Sequence, residues 1–216
     1  VSVKITSRIL ISIILITAWF SVNATSAAEI DYIKAVCVSC HGANGIAKSE
    51  LTPNLAGQRE KYLAKQLRDF RKSANRPTPQ KEELTDIGGK RRHPIMSTIT
   101  TRLSDGQIEE MARYYSSQAC RSKTKLDQAK SIPKVTTCLA CHDENETTHE
   151  PWVPRLSGQN KLDLINQIYA LRISAEQKYA QGSSLRSHPL MEDKIKHLSA
   201  FEIETIAHYF AARKCR

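Results

Sequence analysis

Cys37-Val38-Ser39-Cys40-His41 and Cys138-Leu139-Ala140-Cys141-His142 are the two stretches on which the reading of this chain turns. Each is a Cys-x-x-Cys-His motif, the attachment pattern of c-type haem. Cysteines at i and i+3 share one helix face, so both thiols can reach the two vinyl groups of one porphyrin. The adjacent histidine then presents an imidazole nitrogen to the iron from the same side. A zinc half-site would need four ligands at matching spacing, and a redox dithiol would need a βαβ setting. Neither accounts for a histidine directly after the second cysteine, twice. Two covalently attached haem c groups are expected, bound through Cys37, Cys40, Cys138 and Cys141, with His41 and His142 on the irons.

The motifs belong to a repeat that spans the chain. Cys37 and Cys138 are 101 positions apart, and the same offset relates Pro53-Asn54-Leu55-Ala56-Gly57-Gln58 to Pro154-Arg155-Leu156-Ser157-Gly158-Gln159. It also relates Gln66-Leu67 to Gln167-Ile168 and Arg71 to Arg172. Further on the offset falls to 95, matching His93-Pro94-Ile95-Met96 to His188-Pro189-Leu190-Met191 and Cys120 to Cys215. A period this long marks duplication of a whole domain rather than a solenoid. The expected organisation is a signal peptide over 1–28, a first domain over 29–121, a linker over 122–135 and a second domain over 136–216. The linker is polar, with Lys123, Lys125, Lys130 and Pro133.

Export is expected from the first residues. Lys4 and Arg8 make a positive start, Ile9 to Phe20 an apolar run, and Ser26-Ala27-Ala28 a small-residue cleavage site. The apolar run is short of the roughly 20 residues that span a bilayer, with an uncleaved anchor as the alternative. Cleavage near Ala28 would deliver a periplasmic protein, in a compartment that permits disulfides. Without the leader, 30 Lys and Arg face 22 Asp and Glu. Four haem propionates would bring the balance to about +4, which favours docking on an acidic protein surface. Nucleic acid is excluded as a partner because the basic residues of this exported chain are scattered.

Helical signals dominate each half. Apolar Ile33, Val36 and Val38 run into the first haem motif. Leu63, Leu67 and Phe70, like Leu164, Ile168 and Leu171, follow 4- and 3-residue steps. Ser104 with Gln107, and Ser199 with Glu202, are capping boxes that open a final helix in each half. Behind them, Ile108, Met111, Ala112 and Tyr115 form one core stripe, and Ile203, Ile206, Ala207 and Phe210 the other. No strand is expected, since alternating β-branched runs are absent.

A haem iron bound to one histidine has a sixth position to fill. The chain has three methionines, and Met96 and Met191 occupy equivalent places between haem motif and final helix. Met111 has Ile206 as its counterpart, so packing explains it. Met96 and Met191 are therefore the expected sixth ligands, and a thioether raises the potential relative to a second histidine. His93 and His188, three residues earlier, are the competing ligands; a donor role toward a propionate or loop carbonyl is the plainer alternative. His149, His197 and His208 have no duplicate and read as surface or packing residues.

Together these residues resemble the dihaem class I cytochromes c of the cytochrome c4 family. The resemblance covers essentially all of the chain after the leader. It rests on the two Cys-x-x-Cys-His motifs, the paired Pro-x-Leu-x-Gly-Gln segments, Met96 and Met191, and the Leu-Ser-x-x-x-Ile starts of the final helices. It implies an all-α protein of two tandem class I cytochrome c domains related by pseudo-twofold symmetry, with the first and last helices of each domain crossing. It also implies that the Pro53 and Pro154 carbonyls accept hydrogen bonds from the ligating imidazoles, where the plain alternative is a turn. Cys120 and Cys215 depart from the plain pattern. A disulfide between them is expected if they lie near the axis; free thiols or a bond to a partner are the alternatives. The acidic segment Asp143 to Glu150 is a second departure.

No nucleophilic triad, paired carboxylates or phosphate loop is evident, so an electron carrier rather than an enzyme is expected. The resemblance implies a quinol-oxidising complex as donor and a terminal oxidase or reductase as acceptor, met transiently by a monomer. Peripheral association with the membrane is left open. The alternatives are a cytochrome subunit of a sulfide- or alcohol-oxidising dehydrogenase, and a haem enzyme such as a peroxidase.

Overall fold

The computed structural model describes residues 31, 34–74, 91–120, 133–142, 150–176 and 185–215. The expected signal peptide, the linker as far as residue 132 and residues 143–149 of the acidic segment lie outside the described residues.

The first half contains α1 (34–41), α2 (Glu60–Ala74), α3 (Pro94–Thr100) and α4 (Asp105–Ser116). The second repeats the order with α5 (Pro133–His142), α6 (Lys161–Ala175), α7 (Pro189–Ile195) and α8 (Ala200–Ala212). Helix α5 begins inside the segment expected to be linker. A proline suits the first turn, where its missing N–H has no intrahelical partner. In each half α3 or α7 and α4 or α8 pack on the central helix α2 or α6, and α5 meets α8.

Each half has its own core. Leu63, Ala64, Leu103, Ile108, Met111, Ala112 and Tyr115 form the first. Val135, Leu164, Leu171, Ile195, Leu198, Ile203, Ile206, Ala207, Tyr209 and Phe210 form the second. Met111 is buried in its stripe, as its Ile206 counterpart suggests. Full burial of such a side chain contributes about 1.5–3 kcal/mol. The expected caps are formed: Gln107 N–H donates to Ser104 Oγ at 3.3 Å, and Ser104 N–H to Gln107 Oε1 at 2.7 Å. Ser199 and Glu202 repeat this at 3.2 and 2.7 Å.

The equivalent contacts extend to the loops. Arg71 Nη1 donates to the Leu103 carbonyl at 2.7 Å and Arg172 Nη1 to that of Leu198 at 3.0 Å. Gly57 N–H bonds the Tyr115 carbonyl and Gly158 N–H that of Phe210. Both glycines have left-handed φ, 67° and 72°, a region that costs any side chain with a Cβ.

The expectation of no strand is corrected by two short ones. β1 (Arg91–Arg92) pairs antiparallel with β2 (Leu185–Arg186), with Arg91 opposite Arg186. They are two residues long and form only where the halves meet, so no alternation was available to read. Arg91 and Arg186 are themselves repeat equivalents, which places them on the pseudo-twofold. Cys120 and Cys215, equivalents as well, are joined in a disulfide with Cα atoms 6.0 Å apart.

Candidate haem sites

Helices α1 and α5 present the Cys-x-x-Cys-His motifs in matching fashion. Cys37 and Cys138 are half-buried against their cores, while Cys40 and Cys141 are exposed. None of the four takes part in a disulfide. Burial pushes the Cys37 and Cys138 thiols up, the opposite of what a reactive dithiol requires. Among the described residues, no group of three or more His, Cys, Asp and Glu could hold a bare metal ion.

His41 and His142 are buried at the ends of these helices. His41 Nδ1 lies 3.0 Å from the Pro53 carbonyl oxygen, and His142 Nδ1 lies 2.9 Å from that of Pro154. A carbonyl oxygen only accepts, so Nδ1 carries the proton and Nε2 keeps its lone pair. Neither Nε2 has a hydrogen-bond partner among the described residues. Burial holds both imidazoles below the usual histidine range, against the opposing effect of the proline carbonyls; Arg91 lowers His41 further and Arg186 lowers His142. A neutral ring with one anchored nitrogen and one free nitrogen is what a metal ligand needs. The donor set thus fits a covalently attached haem at each motif.

Met96 and Met191 lie half-buried on α3 and α7, and each helix starts with a proline after an extended histidine, His93 (φ −148°) or His188 (φ −157°). These two histidines are not used alike. His93 Nδ1 accepts from Met96 N–H at 3.4 Å. His188 Nδ1 is buried with no hydrogen-bond partner, while its backbone N–H donates to Glu192 Oε1 at 2.8 Å. His197 and His208 are exposed, and His149 lies outside the described residues.

The sequence reading missed a polar cluster between the halves. Arg91 donates to Gln66 Oε1 at 2.5 Å and Gln167 Oε1 at 3.1 Å, and lies 4.6 Å from the Phe70 ring centroid. Arg186 donates to Gln167 Oε1 and to Tyr62 Oη, both at 2.9 Å. Burial pulls the Arg91 guanidinium down, and the like charge of Arg186 adds to this. Burial pushes the Asp163 carboxyl up, and both arginines oppose it. The shared 95-residue offset of Arg91 and Arg186 was the available signal. Gln58 and Gln159 were in the quoted repeat, yet nothing local indicated that they bond across the interface.

Comparison with known proteins agrees with this geometry. The cytochrome c family model matches residues 31–118. Cytochrome c4 of Azotobacter vinelandii is 28% identical over 165 residues, covering 71% of this chain and 75% of that protein. Cytochrome c-554(548) of Halomonas halodenitrificans is 33% identical over 82 residues, covering 38% of this chain and 83% of that protein. The thiosulfate dehydrogenase electron acceptor of Thiomonas intermedia is 27% identical over 199 residues, covering 83% and 79%. Among solved structures, reduced cytochrome c4 from Pseudomonas stutzeri superposes with a TM-score of 0.63 at 24% identity, covering 87% of this chain and 98% of that one. With two class I cytochrome c domains, two motifs and two matching donor sets, the chain belongs to the cytochrome c family as a dihaem electron-transfer cytochrome of the cytochrome c4 kind, with two covalently bound haem c groups.

Proposed function

We propose that this protein is an exported, periplasmic electron carrier in which Cys37 and Cys40 hold one haem and Cys138 and Cys141 the other. His41 and Met96 are the axial ligands of the first iron, His142 and Met191 those of the second. Each haem supplies one-electron chemistry when bound. The chain's own part is to anchor the imidazoles through Pro53 and Pro154, bury them away from water and hold two sites in one rigid frame. A quinol-oxidising complex is the donor and a terminal oxidase or reductase the acceptor, met through brief, salt-sensitive encounters. The observation that carries this reading is the duplicated imidazole, bonded at Nδ1 and free at Nε2. No helix among the described residues is long and apolar enough to cross a membrane.

A redox titration followed by visible and near-infrared spectra tests the proposal. Two one-electron steps and the weak sulfur-to-iron band of the ferric protein are expected. Absence of that band overturns the methionine ligands, and a mass increment of fewer than two haems overturns the whole reading.

A second reading, an electron-accepting subunit held to a dehydrogenase, is favoured by one surface. Leu162 and Ile173 are 44% and 37% exposed on the outward side of α6. Relatives named as electron acceptors of thiosulfate dehydrogenase fit a chain that keeps such a face for a larger subunit. Isolation from its own host under mild conditions distinguishes the two: a stoichiometric larger chain supports the subunit, and a lone cytochrome supports the free carrier.

A further inference from the structure

A single peptide group links each buried histidine to the opposite half. The Pro53 carbonyl accepts from His41 at 3.0 Å, and the N–H of that same peptide, on Asn54, donates to Gln159 Oε1 at 2.7 Å. Gln159 Nε2 returns a bond to the Asn54 carbonyl at 2.9 Å. The mirror arrangement runs from His142 to the Pro154 carbonyl, then from Arg155 N–H to Gln58 Oε1 at 2.8 Å. Gln58 Nε2 donates to the Arg155 carbonyl at 2.9 Å.

Both amides are oriented without ambiguity. Gln159 Oε1 also accepts from Asn160 N–H at 2.9 Å, and Gln58 Oε1 from Arg59 N–H at 3.0 Å. Each oxygen thus faces two backbone donors and each nitrogen a carbonyl, which only one orientation of the side-chain amide allows. Hydrogen bonds in a chain polarise one another. A peptide whose N–H is engaged is therefore a stronger acceptor at its carbonyl. A stronger acceptor draws the Nδ1 proton, enriches the imidazole and favours the higher oxidation state of a metal on Nε2.

We propose that Gln58 and Gln159 are positioning residues that tune the haem of the opposite half. Gln159 acts on the site of His41, and Gln58 on the site of His142. The inference rests on the reading of His41 and His142 as iron ligands. A plain clamp between halves would act on both sites together, whereas this arrangement crosses.

The test is a redox titration of the holoprotein, with proton NMR of the oxidised form assigning each haem by its contacts to Cys37 and Cys40 or to Cys138 and Cys141. Gln159→Leu is expected to raise the potential of the haem on Cys37 and Cys40. At a fixed applied potential this multiplies its reduced-to-oxidised ratio by up to about fivefold, the effect of one hydrogen bond. The other haem stays unchanged, and Gln58→Leu gives the mirror result. Asn160→Ala removes bonds across the interface to the Ser49 and Thr52 carbonyls and to the Asn54 side-chain amide while leaving the backbone bonds of both peptides to Gln159 and Gln58 intact, and it is expected to shift neither haem selectively. Shifts confined to the variant's own half, equal shifts in both haems, no shift, or a matching shift from Asn160→Ala each overturn the proposal. Should a leucine variant fail to fold, Gln159→Glu and Gln58→Glu keep the acceptor and lose the donor. Each then lowers the potential of the opposite haem, and an equal drop in both overturns the proposal. Absence of two one-electron waves in the unaltered protein would sink the carrier reading instead. Two waves without the crossed shift sink this inference alone.

Discussion

Helices α2 and α6 occupy the same place in the two halves, and their inward faces match: Leu63, Leu67 and Phe70 on one, Leu164, Ile168 and Leu171 on the other. Their outward faces do not match. Lys61, Lys65, Arg68 and Lys72 on α2 stand where α6 carries Leu162, Asn166, Tyr169 and Ile173. On α2, Lys65 pairs with Asp69 at 2.5 Å and Arg68 with Glu109, while Lys61 lies 5.7 Å from the Trp152 ring centroid of the other half. The wider composition follows the same division. Residues 29–121 hold 16 Lys and Arg against 11 Asp and Glu, while residues 136–216 hold 10 of each. Packing constrains the inward faces because both must close around the same kind of group. The outward faces answer only to what each half meets, so α2 keeps a charged face and α6 an uncharged one in which Leu162 and Ile173 are exposed.

The largest way to break the equivalence is to remove one haem. Cys37→Ala with Cys40→Ala is expected to lower the mass of the mature protein by one haem and unfold the first half, whose Cys37 packs against its core. Mass spectrometry and circular dichroism check this, and an unchanged haem content would refute the attachment. The disulfide is next. Cys120→Ser with Cys215→Ser opens a 95-residue separation and is expected to cost about 2–4 kcal/mol in urea unfolding. It should also allow the halves to melt at different temperatures.

Asp163 stands where the first half has Tyr62, and its burial predicts a pH dependence of stability, to which the buried Asp69 of the first half adds in the same direction. Burial raises its proton affinity in the folded state above that in the unfolded chain. The folded form therefore binds more protons through that window. Stability present at lower pH is lost as pH rises through the raised value. Asp163→Asn should flatten this part of the stability–pH curve, measured by urea melts between acid and neutral pH; a curve of unchanged slope contradicts it. Smaller still, Ser104→Ala and Ser199→Ala should each cost about 1 kcal/mol, and equal losses in melts of both variants would show that the caps kept their parity. The smallest effect on stability is expected from Leu162→Lys with Ile173→Lys, within about 0.5 kcal/mol. This pair gives α6 the charge of α2 and should release any larger subunit seen on co-purification. Retention of that subunit would move the contact elsewhere.

Much of the architecture was legible because it is periodic. The caps at Ser104 and Ser199, the stripes behind them and the packing role of Met111 all follow from short-range spacing that a helix imposes on its own residues. The proline carbonyls facing His41 and His142 came from resemblance, and the structure supplied the distances. The strands did not follow from spacing. Two residues have no period, and Arg91 finds its ladder partner 95 positions away. The onset of α5 at Pro133 was hidden because its polar first turn has the composition of a linker.

By itself the sequence determined the two attachment motifs, the duplication, the helical class and the candidate ligands, since each is written in spacing over a few residues or in a repeat offset. Only the tertiary structure decided how the two copies meet: Arg91 against Arg186, Cys120 bonded to Cys215, and each glutamine closing on the peptide that holds the other half's histidine. Such contacts join residues about a hundred positions apart, and their energy depends on burial and orientation that no local pattern encodes.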